Sequence, residues 1–163
     1  FRLNTEVGRD ITIGQLLGMA DLQQLVGSES PPESKLRVLI EQLVAQAMQE
    51  PQAWQLRVLA REVLAPSSHL QVLFQDEALP KMLLVKRLLS EITGIPAEDP
   101  AVTRCLMNVI TPCLMLLVGG RTFPGPLKEV FQMPPQMVAD HLFHFAMGGL
   151  GAIAREYAER ARA

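Results

Sequence analysis

Basic residues are few and dispersed in this chain, and their scarcity excludes a first class of function. Lysine and arginine number 15 against 17 acidic residues, for a formal net charge of −2. No run or cluster of them supplies the electrostatic footprint of a phosphate-binding surface, so the chain by itself is not expected to hold nucleic acid. Cysteine is almost as sparse. Cys105 and Cys113 would stand about 12 Å apart along a helix, too far to bridge. Without a disulfide framework, a reducing, cytoplasmic setting is expected.

Long apolar runs are also missing. Val109–Val118 is the longest strongly apolar stretch and contains Thr111 and Pro112; it is shorter than a bilayer crossing, so no membrane partner is expected. Arg2, Glu6, Arg9 and Asp10 break up any apolar segment of the kind a signal peptide needs. Catalytic patterning is absent too: no nucleophile stands beside a base and an orienting acid, and no glycine loop follows a strand. Neither an enzyme nor a cofactor is expected.

Apolar surface is what the chain has in excess. With 48% hydrophobic and 20% charged residues in 163, it is long enough for one domain and more apolar than a solitary soluble domain requires, which points to a partner or ligand that covers the surplus. Helical spacing dominates and strand alternation is nearly absent. A first segment over 12–26 ends at Gly27 before Pro31 and Pro32. The next, to about Glu50, carries Leu36, Leu39, Ile40, Leu43, Val44 and Ala47 as one apolar stripe. A third follows Pro51 and stops at Pro66. A fourth spans 69–93 with Pro80 expected to bend or divide it, and ends at Gly94.

Asp99 before Pro100 is a start signal for a fifth helix, to about Val118, that is apolar on nearly every side. A Pro/Gly-rich connection with one short turn near 127–131 leads through Pro134 and Pro135 to a last helix, whose charged end pairs Arg155 with Glu159 and Glu156 with Arg160. Six helical segments joined by short breaks predict an all-α bundle.

Trp54-Gln55-Leu56-Arg57-Val58-Leu59-Ala60-Arg61-Glu62-Val63, the Pro66-Ser67 break, Leu88-Leu89-Ser90-Glu91-Ile92-Thr93-Gly94-Ile95-Pro96, and Asp99-Pro100 followed by Cys105 together resemble the C-terminal domain of the CecR-like subgroup of TetR regulators. The likeness runs from Ser34 to Leu150. It implies an effector-binding and dimerisation domain over 34–163, preceded by an N-terminal segment, 1–33. Operator DNA would then be read by a helix-turn-helix domain outside this chain, because the stretch before Ser34 lacks the basic and aromatic residues of the family's recognition helix. A small apolar or amphipathic effector would shift the helices that space the two DNA-reading heads of a homodimeric repressor.

Candidate site residues follow from polar groups in apolar surroundings. Arg61, with Arg57 one turn earlier, is a polar anchor for a ligand or a structural ion-pair partner, unless both arginines are simply solvated. Arg104, Asn108 and Thr111 form a polar stripe on the most apolar helix and either line a pocket or bond across the bundle. Met115, His144, Phe145 and Met147 complete the candidate ligand-binding set. His141 and His144 share a helix turn, but with only His69, Cys105 and Cys113 in reserve a metal site is not expected. Gly148 and Ala152 permit close approach of another helix, either of a second copy or of a neighbour within the same chain. The resemblance implies a four-helix seam made by the last two helices, with Val109, Cys113, Leu116, Leu142 and Gly149 beside them. The alternative to a ligand sensor is a helical protein-interaction module, which needs no internal cavity.

Overall fold

A computed structural model describes residues 18–48, 61, 64, 65, 74–119 and 123–163. Among these the chain is all-helical: α1 (Met19–Gly27), α2 (Pro32–Met48), a π-helical turn (Phe74–Ala78), α3 (Leu79–Thr93), α4 (Pro100–Gly119), a 3-10 helix (Gly125–Gln132) and α5 (Pro135–Arg162). Of the expected third helix, only a turn closed by Ala65 N–H on the Arg61 carbonyl is described. The rest of that helix, with Arg57, lies outside the described residues, as do His69 and 12–17 of the first segment.

The punctuation residues act as their chemistry dictates. Gly94 takes the left-handed conformation at φ 72° that ends α3, its N–H bonding the Ser90 carbonyl. Asp99 accepts from the Ala101 amide at 2.8 Å, satisfying a free N–H at the start of α4. It also accepts from the Tyr157 hydroxyl of α5; burial, the Asp99 charge and this bond together raise the Tyr157 pKa. Of the two outcomes expected at Pro80, a bend or a division, the structure shows a division, with α3 beginning one residue before it. It sits in the first turn of α3, where its missing N–H has no helical partner to lose, and the irregularity is the π turn just before it.

Lys35 is the one buried charged residue among those described, 5% exposed. Its Nζ donates to the Val26 carbonyl at 2.7 Å. α1 has no basic residue in its own last turn, so α2 supplies the cation that its C-terminal carbonyls favour.

The core joins Leu36, Leu39, Ile40 and Val44 of α2 to Val85, Leu88 and Leu89 of α3, to Val102, Cys105 and Val109 of α4, and to Val138, Ala139, Phe143 and Leu150 of α5. Each large apolar side chain buried here contributes about 1.5–3 kcal/mol. α2 packs most extensively on α5 and then on α4, so it forms the floor on which the last two helices rest. Taken as whole helices, α4 and α5 are long and apolar enough to cross a membrane, longer than the Val109–Val118 run suggests. Their surplus apolarity has two fates: α4 buries about twice the share of its apolar span that α5 does, and α5 leaves most of its apolar turns open.

A candidate apolar pocket between the last two helices

The helical phase of α4 decides what its residues can touch. At about 100° per residue, Val102, Cys105, Val109, Cys113 and Leu116 share the arc that enters the core, and all are buried. Arg104, Met107, Asn108, Thr111 and Met115 share the opposite arc. Arg104 and Asn108 are exposed, Thr111 is half-buried, and Met107 and Met115 are 61% and 44% exposed. Arg104 and Asn108 thus face outward among the described residues, and Val109, Cys113 and Leu116 are buried within the chain.

α5 divides the same way. Its inner arc carries Val138, Ala139, Phe143 and Leu150; its outer arc carries Met137, His141, Phe145, Gly148 and Ala152, all exposed, with Gly149 beside them. A methyl group built on Gly148 or Gly149 would meet nothing within 4 Å. Leu142 is half-buried between the two arcs, and Met147 packs against the core. Phe145, expected to wall a pocket, is 78% exposed. His144 is exposed and donates from Nδ1 to the Asp140 carbonyl at 2.7 Å, which occupies it within its own helix. Arg61 is exposed in its single described turn.

Between the arcs lies a cavity of about 510 Å³, bounded by Pro112, Met115 and Leu116 of α4, by Phe123, Leu127, Val130, Phe131 and Met133 of the connection, and by Met137, Val138, His141 and Leu142 of α5. Its aromatic wall is the pair Phe123 and Phe131, with ring centroids 6.0 Å apart and planes tilted 37°. Pro124 and Gly125, the latter at φ 63°, start the 3-10 helix that carries Leu127, Val130 and Phe131 to this wall. His141 is the one polar side chain among the described residues that line it.

A second cavity, about 620 Å³, separates α1 from α2. Asp21, Gln24, Gln42 and Gln46 make it polar, and the Gln46 Oε1 there is buried without a hydrogen-bond partner. The smaller cavity has the better character for an organic ligand, being apolar with one convergent polar group.

Among the described residues of the expected ligand set, only Met115 reaches that cavity. Phe123, Phe131, Met133, Met137 and His141 line it from outside the expected ligand set. Nothing in the Pro/Gly-rich connection announced that it folds back; the available signal was its apolar spacing, Phe123, Leu127, Val130 and Phe131.

An all-α bundle closed by two long apolar helices fits the resemblance to the C-terminal domain of TetR-type regulators. Residues 32–153 match the family described as HTH-type transcriptional dual regulator CecR, C-terminal domain, and the chain belongs to that family. No curated protein matches the chain in a whole-sequence search.

Proposed function

We propose that the chain is the effector-sensing and dimerisation domain of a cytoplasmic TetR-type repressor, without catalytic activity of its own. The observation that carries this reading is the continuity of cavity and open face: Met115, Met137 and His141 border the cavity and also belong to the exposed arcs of α4 and α5. A second copy packed across those arcs, through Phe145, Gly148 and Ala152, adjoins the cavity mouth. A small, mainly apolar effector in the cavity then bears directly on the helix that sets the spacing of the two protomers, and with it the spacing of their helix-turn-helix heads on operator DNA. The effector switches binding only through its differential affinity for the two spacings.

Sedimentation equilibrium combined with thermal denaturation against a panel of hydrophobic drugs, antibiotics and lipid-like metabolites tests this. A ligand at a hundred times its Kd adds about 2.7 kcal/mol of stability. A dimer at micromolar concentration whose melting point rises with panel members supports the reading; a monomer that ignores the whole panel overturns it.

A further inference from the structure

Gly119 closes α4, buried, and it lies where the Phe123 ring needs the space of a side chain. A methyl group built on Gly119 would overlap Cε2, Cζ and Cδ2 of Phe123. Among the described glycines this demand is unique: Gly27, Gly94, Gly125, Gly148 and Gly149 have nothing within 4 Å of the same position, and Gly18 and Gly151 meet only ordinary contacts. The demand is steric, because Gly119 does not adopt a positive φ. Phe123 in turn stacks at an angle on Phe131, and both rings face the cavity. Gly119 is thus the seat that holds the aromatic wall back.

The lining also limits the charge of what can enter. Among the described lining residues, thioethers, aliphatic chains and the two rings provide no fixed countercharge, and His141 is the single polar side chain. A charged ligand would lose its hydration without compensation. A planar uncharged one gains from offset contact with the rings and from methionines that repack around it.

We infer that the cavity takes an uncharged aromatic molecule with one polar atom directed at His141, and that Phe123, seated on Gly119, sets the depth it can reach. The inference rests on the reading of this cavity as the effector site. Alanine at 119 pushes the Phe123 ring off its seat and into the space the ligand uses. Removing the ring at the same time makes the alanine harmless.

The 163-residue chain is titrated with N-phenyl-1-naphthylamine, which is uncharged and fluoresces in apolar surroundings, and with 1-anilinonaphthalene-8-sulfonate, the same aromatic frame bearing a sulfonate. The uncharged probe is expected to saturate at one per chain, about tenfold tighter or more than the sulfonate. Gly119→Ala should weaken it about fivefold or more, by overpacking. Gly119→Ala/Phe123→Ala should match Phe123→Ala within about twofold. Should Gly119→Ala fail to fold, that last comparison still tests the seat. Equal affinity for the two probes overturns the requirement for an uncharged ligand. A loss at 119 that persists without the Phe123 ring overturns the seat. No saturable binding of either probe removes the effector-site reading itself.

Discussion

Arg37 of α2 and Asp140 of α5, 103 residues apart in sequence, form an ion pair at 2.8 Å, and the same guanidinium lies 4.1 Å from the centre of the Phe143 ring. Gln136 Nε2 donates to both Asp140 and Glu41 at 3.3 Å, so the turn of α5 that carries the cavity residues Met137 and His141 is tied by its other side to α2. Both charged side chains are more than a third exposed, which limits the pair to less than about 1 kcal/mol, with a similar contribution from the cation over the ring. Arg37→Ala should therefore destabilise by about 1–2 kcal/mol and Asp140→Asn by less. In urea unfolding, 1 M salt should erase most of the Asp140→Asn effect, since the ion pair is screened. It should leave part of the Arg37→Ala effect. A salt-insensitive Asp140→Asn penalty would show that the carboxylate acts otherwise.

Lys35 offers a different balance, because its ammonium is buried on the Val26 carbonyl. Replacing it with methionine keeps the aliphatic packing but leaves that carbonyl without its donor, at a cost of about 1–3 kcal/mol. The loss should concentrate in α1. Amide exchange at Leu22 to Val26 is expected to quicken in Lys35→Met well before exchange in α2 or α3 changes, and uniform quickening would contradict a capping role.

Element boundaries were legible wherever a local residue imposes them. Gly27, Gly94, Asp99-Pro100 and Pro134-Pro135 act within a turn, and the apolar stripe of α2 has a polar face to contrast with. On α4 the only contrast is the polar stripe Arg104, Asn108 and Thr111, with methionine and leucine around the rest, and such a stripe reads equally as a pocket lining and as an outer face. One adjacent pair tests the phase. Asn108→Leu, on the exposed arc, should change stability by less than about 0.5 kcal/mol, whereas Val109→Asn, which places an amide in the core, should cost about 3 kcal/mol or more. Equal effects would mean that the two arcs are misassigned.

The two thiols report on the same burial. Burial raises the Cys113 pKa from 9.0 to about 12, and it raises that of Cys105 too, with Arg104 opposing. Since the thiolate is the nucleophile, neither should react with an aromatic disulfide reagent at pH 8 until the chain opens, and both should react in denaturant. The folded state binds the Cys113 proton more tightly than the unfolded one, so its contribution is full below pH 9 and is lost as pH rises towards 12. Unfolding free energy should fall across that window. Cys113→Ala should flatten the fall; an unchanged alkaline slope would assign it to other groups.

The outer arc of α5 carries the last expectation. Phe145 at 78% exposure, with Met137, Gly148 and Ala152 on the same side, leaves an apolar stripe that a second copy of α5 can cover closely only where side chains are small. Gly148 has open space around it within its own chain, so leucine there should leave the protomer fold intact, and by lowering the helical cost of glycine it should even favour α5 by about 1 kcal/mol. Against a partner helix the same leucine collides. Gly148→Leu should therefore weaken dimerisation in sedimentation equilibrium by about tenfold or more while circular dichroism shows equal or greater helix content. The sign contrast separates the interface from the core. If leucine strengthened both the dimer and the fold, or weakened the fold without touching association, α5 would not pair through this stripe.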